Sequence, residues 1–149
     1  MTDRWFEDFE VGLRLVSSGK TLSEAEMLDW AFHYDPQPFH MDTVAAGEHM
    51  YGGLIASGWQ VCAVAFRLFT MTNPFGRSSL GSPGVDELRW QRPVRPGDTI
   101  HTEVTVTACR PSASKPDRGI VTMAWSVLNQ HGEQVMSMTS VQFVLRRPA

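Results

Sequence analysis

Residues Trp59 to Phe69 are apolar on nearly every side of a helix, with Gln60 and Arg67 as the polar interruptions. Such a helix has no face suited to water, so the rest of the chain must wrap it. The apolar run ends at Met71, thirteen residues from Trp59, which is too short and too polar to cross a bilayer. It is predicted to be a core helix. Gly52, Gly53 and Gly58 in "YGGLIASGW" shape a tight entry to it, because glycine permits positive φ and close backbone approach.

What wraps this helix is expected downstream. Residues 85–92, 98–110, 118–129 and 134–146 read as strands. In "TIHTEVTVTA" the polar residues alternate with Val104, Val106 and Ala108 at period two, and Met136 and Met138 alternate in the same way as core residues. "RPVRPGD" at 92–98 and "NQHGE" at 129–133 carry the breakers of turns, Pro93, Pro96, Gly97 and Gly132. Upstream, Ser23 and Glu26 form the S-x-x-E capping box of a first helix. Ala25, Leu28 and Phe32, with Met27 and Ala31 beside them, give it one apolar face. Pro36 ends it at Asp35, and Asp42 is a cap for a short second helix through about Ala46.

One apolar helix followed by long alternating strands predicts an α+β protein: a single hotdog domain over residues 1–149, with a curved antiparallel β-sheet wrapped around a long central helix. Exposed edge strands lead us to expect a homodimer or a higher homo-oligomer. The net charge of −3 offers no basic field for nucleic acid. Cys62 and Cys109 show neither zinc spacing nor a disulfide framework, so no metal is expected and the reading is cytoplasmic. The acidic start "MTDRWFEDFEVG" lacks the basic-then-apolar order of a signal peptide, and no membrane association is expected.

Chemistry concentrates in "HYDPQPFHMD", residues 33 to 42. Asp35, in the last turn of a helix, faces the unfavourable end of the dipole, and Tyr34 and Phe39 are placed to withhold water. Both effects are expected to raise its pKa and make it a better proton acceptor. His40 follows five residues later, and Pro36 and Pro38 stiffen the link, so little entropy is lost in presenting both groups to one reactant. By spacing alone this is either an acid–base pair or a helix stop followed by a turn. "GLIASGW" likewise reads either as a helix start capped by Ser57 or as a set of free N–H groups able to hold an oxyanion.

Taken together, "DPQPFHMD", "GGLIASGW" and "RWQRPVRPGDTI" resemble the MaoC-like dehydratases, the hydratase-2 group of hotdog enzymes, from about Trp5 to Arg146. The resemblance implies reversible syn hydration of a trans-2-enoyl thioester to a (3R)-3-hydroxyacyl thioester. It implies that Asp35 activates water, that His40 positions that water and shares the proton transfers, and that the Gly58 N–H polarises the thioester carbonyl. It implies no cofactor and no metal; coenzyme A or an acyl-carrier protein's pantetheine arm is the handle of the substrate. The chain departs from the family pattern at Gln37, where many members have Asn, and at Ser57, where many have His.

Arg89, Arg92 and Arg95, or Lys115 and Arg118, are candidates for the coenzyme's phosphates, with ordinary surface charge as the alternative. His33, on the helix before Asp35, could orient a partner but is read as packed or exposed, while His49, His101 and His131 share no carboxylate or metal pattern and are read as structural. Two other functions fit the same fold: a hotdog acyl-CoA thioesterase, and a non-catalytic subunit that binds acyl thioesters.

Overall fold

The computed structural model describes residues 3–149. Four α-helices precede the long strands: α1 (Glu24–Tyr34), α2 (Pro38–Met41), α3 (Thr43–Glu48) and α4 (Gly58–Met71). No described helix is long and apolar enough to cross a membrane. The capping box at α1 is formed as expected: Ser23 Oγ accepts from the Glu26 N–H at 3.2 Å and Glu26 Oε1 accepts from the Ser23 N–H at 2.8 Å. Asp35 closes the helix, its N–H donating to Ala31 O at 2.9 Å. The buried flank of α1 is Met27 and Ala31, with Leu28 half-buried. The expected stripe through Ala25 and Phe32 faces water instead, Phe32 being 70% exposed, because α1 meets α2 and α4 on the other flank.

The strands are β1 (Arg14–Val16), β2 (Lys20–Thr21), β3 (Gly84–Trp90), β4 (Thr99–Pro111), β5 (Arg118–Leu128) and β6 (Gln134–Leu145). All pairings are antiparallel and the sheet runs β1-β4-β5-β6-β3, with β2 also pairing with β4. Two strands absent from the sequence reading, β1 and β2, are three and two residues long, too short to show a period. In β4, Ile100, Thr102, Val104 and Val106 face the core, but a bulge between Val106 and Ala108 reverses the phase and leaves Ala108 exposed, against expectation. The turn at 129–133 forms as expected: Asn129 Oδ1 accepts from the N–H groups of His131 and Glu133, and Gly132 has φ +72°.

The sheet holds α4 through Val61, Ala65, Leu68 and Phe69, which recur at helical spacing and are buried against β4, β5 and β6. Phe69 lies 4.5 Å from the Trp125 ring, whose N–H donates to Ser140 Oγ at 2.7 Å. Thr102 spends its hydroxyl on Ala65 O at 3.1 Å, so this polar residue enters the core satisfied. Burying each large apolar side chain contributes roughly 1.5–3 kcal/mol. The expected wrapping is one-sided, however: Trp59, Phe66 and Met71 on the outer side of α4 are 59%, 52% and 57% exposed.

Edge strand β3 is kinked. Gly84 to Asp86 pair with Val141 to Thr139, and Arg89 and Trp90 pair with Ser137 and Met136. Between them the register shifts and Glu87 takes φ +52°, a left-handed conformation rare outside glycine.

On β5, Gly119 is buried beneath Phe6, and a Cβ there would lie 2.2 Å from the phenyl ring. Gly119→Val should displace Phe6 and lower stability by about 1–3 kcal/mol, read as an earlier urea midpoint. An unchanged midpoint would mean that the Phe6 segment is not part of the cooperative fold.

Candidate active site

Asp35, His40 and Gly58 line one cavity of about 360 Å³ between the ends of α1 and α4. Phe39, Ile55, Val61, Val94, Trp59 and Trp90 supply its apolar walls. Pro36 ends α1, and Pro38 opens the single turn α2 at a position where its missing N–H is not needed. That turn carries His40 inward to 6% exposure. Its Nδ1 bonds the Ile55 carbonyl at 2.8 Å. A carbonyl can only accept, so Nδ1 carries the hydrogen and Nε2 faces the cavity side. Nε2 stands 3.4 Å from Asp35 Oδ2. Ile55 in turn donates its N–H to Phe39 O at 3.2 Å, which ties the segment before α4 to α2.

Ser57 caps α4, its Oγ accepting from the Trp59 N–H at 3.2 Å, as the sequence indicated. The same hydroxyl donates to Asp35 Oδ2 at 2.6 Å, which nothing in the sequence revealed because the partners are 22 residues apart. Gln37 Nε2 donates to Asp35 Oδ1 at 2.8 Å, so each carboxylate oxygen has one donor.

These bonds reverse the expected direction of the Asp35 pKa. Burial is the largest single influence and pushes it up, but hydrogen bonds from Ser57 and Gln37, with the charge of His40, outweigh it and hold the carboxyl below its ordinary value. Tyr34 does not withhold water as supposed, since it is 73% exposed. Nor does Asp35 see only the negative end of α1: through Ser57 it also stands at the positive end of α4.

Gly58, the first residue of α4, has no acceptor for its N–H among the described residues. A Cβ at this position would fall 2.4 Å from the Trp90 indole, whose N–H donates to Gly58 O at 3.0 Å. Only glycine fits there, a requirement legible once the Trp90 contact is known.

Among the basic candidates, Arg92 lines the cavity and pairs with Glu133 at 3.1 Å. Arg95 has a structural task, donating to the carbonyls of Tyr51 and Gly53. Arg89 pairs with Glu87 and Arg118 with Asp117, while Lys115 is exposed. His101 does have a carboxylate partner, Glu103 at 3.2 Å, contrary to the sequence reading, but it lies on β4 away from the cavity. His33 is exposed, and His49 stacks on Phe39 with ring centroids 4.6 Å apart.

Replacing Ser57 with alanine removes a bond that favours the ionised form, so the Asp35 pKa should rise. A carboxyl carbon titration by NMR of wild type and Ser57→Ala measures this. An unmoved pKa would show that the hydroxyl does not hold the charge.

Residues 12–139 match the family model described as MaoC like domain. A MaoC-like dehydratase from Rhodospirillum rubrum has a structure similar to this one, with a TM-score of 0.88 and 42% identity over 98% of this chain and 99% of that one. The (R)-hydratase from A. caviae involved in PHA biosynthesis has a TM-score of 0.75 at 25% identity, covering 95% of this chain and 99% of its own. A mesaconyl-CoA hydratase from Cereibacter sphaeroides is 28% identical over 97% of this chain, which spans 42% of that protein's length. The chain thus has a hotdog fold and belongs to the MaoC-like domain family.

Proposed function

We propose that this protein is a hydro-lyase that adds water reversibly and syn across the double bond of a trans-2-enoyl thioester, giving a (3R)-3-hydroxyacyl thioester. The observation that carries this reading is the convergence of the Asp35 carboxylate, His40 Nε2 and the free Gly58 N–H on one cavity. Asp35, its pKa held down, accepts only; His40, with its Nδ1 hydrogen committed to Ile55, acts in the form whose Nε2 carries no hydrogen and also accepts. One water with two hydrogens can donate to both, which aims its oxygen lone pair at substrate carbon 3.

As the oxygen–carbon 3 bond forms, an O–H bond of the water breaks and its proton passes to the Asp35–His40 pair. The π electrons move to the thioester oxygen, where the Gly58 N–H and the positive end of α4 stabilise the enolate. The pair then returns a proton to carbon 2 on the same face, so the protein ends as it began. Coenzyme A or a carrier protein's pantetheine arm belongs to the substrate, and no further cofactor enters these steps. A homodimer or higher homo-oligomer, formed over the outer edge of β3, is part of the same proposal.

Purified protein mixed with crotonyl-CoA should consume the enoyl absorbance and yield the (3R)-hydroxyacyl product without free thiol. Asp35→Asn should lower kcat about 10²–10⁴-fold. Free thiol would instead identify a thioesterase, and no turnover with short, long and branched enoyl thioesters would favour a site that only binds. Gly58→Ala drives a methyl into the Trp90 indole and displaces the N–H, so kcat should fall about 10²–10³-fold with the fold retained. Full activity in that variant would remove Gly58 from the mechanism.

A further inference from the structure

A second cavity, of about 290 Å³, lies where three separate parts of the chain meet. Asp3, Arg4 and Asp8 reach it from the N-terminal segment, Asn73 from just past α4, and Arg147 from just past β6. Every side chain lining it is polar or charged, so it does not suit an apolar ligand.

The two carboxylates are already occupied. Asp3 Oδ1 accepts from the Arg77 backbone N–H at 2.9 Å, and Asp3 Oδ2 accepts from Arg77 Nε at 2.7 Å. Asp8 Oδ1 accepts from Arg147 Nη2 at 2.5 Å, and Asp8 Oδ2 accepts from the Trp5 N–H at 2.8 Å. Arg4 shares in none of these bonds. Its half-buried guanidinium has no carboxylate partner among the described residues, and its Nη1 is buried with no hydrogen-bond partner at all. The Phe9 ring, with its centroid 5.8 Å from Arg4 Cζ, steadies the group without neutralising it.

A guanidinium drawn out of water with no anion beside it is costly to the fold. Arg77 balances Asp3 and Arg147 balances Asp8, so Arg4 leaves the cavity with a surplus positive charge. Its planar fork of N–H donors matches the oxygens of a phosphate or a carboxylate. Here the donors Arg4, Asn73 and Arg147 come from three different segments. That suits a tetrahedral ion, whose oxygens point apart, better than a flat carboxylate. We propose that this cavity binds a phosphate-type oxyanion through Arg4.

The cavity lies past the far end of α4 from Gly58 and shares no lining residue with the candidate active site. Its ligand is therefore distinct from the thioester proposed above. Phe6, two residues from Arg4, covers Gly119 of β5, so the ion fastens that N-terminal segment to the ends of α4 and β6. An ion that binds only the folded chain also raises its stability.

Inorganic phosphate, titrated calorimetrically into the full chain at neutral pH and constant ionic strength, is the probe. Saturable binding is expected, together with a rise in Tm that chloride at the same ionic strength does not give. Arg4→Met keeps the stem that lies over Phe9 and should weaken binding at least about tenfold. Arg4→Lys keeps the charge but loses the fork, and should also bind more weakly; it carries the test if Arg4→Met does not fold. No phosphate binding by the wild type, equal binding by either folded variant, or an equal rise in Tm with chloride overturns the proposal. Acetate binding more tightly than phosphate would refute the tetrahedral assignment. Crotonyl-CoA turnover is the last check: a KM raised by folded Arg4→Met would place the thioester in this cavity and refute a separate site. Phosphate binding needs no turnover, so a chain without hydratase activity would refute the functional reading and leave this test intact.

Discussion

The hydroxyl of Ser57 is used twice. It accepts the Trp59 N–H and so starts α4, and it donates its one hydrogen to Asp35. A hydroxyl has one hydrogen and two lone pairs, so the two bonds do not compete. The position of α4 is set by Val61, Ala65, Leu68 and Phe69 against the sheet, and the Asp35 carboxylate inherits that position through a single 2.6 Å contact. The Gly58 N–H is one residue further along the same frame. The carboxylate and the N–H are therefore held at a spacing set by the hydrophobic core rather than by a flexible loop.

Much of this was legible in the chain. The capping box at Ser23, the stop at Asp35, the cap at Asp42 and the apolar run of α4 are local signals, each decided within a few residues. What was not legible depends on partners distant in sequence. The rotation of α1 toward Met27 and Ala31 follows from where α2 and α4 lie, and the outward turn of Ala108 follows from a bulge opposite β5. The direction of the Asp35 pKa is the clearest case. Local reasoning saw burial and a helix C-terminus, both of which raise it, but had no access to a donor 22 residues away. Gln37 was readable only as a departure from a pattern, although its longer side chain reaches back to the carboxylate.

The two helix ends also complement each other. A carboxylate at the end of α1 alone would oppose that helix's dipole, but α4 begins within hydrogen-bonding reach and presents the opposite pole. The stability that Asp35 gains from Ser57 and Gln37 is present above its ordinary pKa and is lost as pH falls through its depressed value. The charge proposed to act in catalysis and the charge that contributes stability are in this respect the same group.

The kink in β3 bears on how the protein behaves at high concentration. A straight edge strand exposes an uninterrupted ladder of free N–H and C=O groups, on which copies can add without limit. Here Glu87 turns the backbone aside, leaving three regular residues before the kink and two after it. An incoming strand finds no long template, so fibril growth from this edge is blocked by the backbone itself, while a partner whose surface fits the bend can still dock.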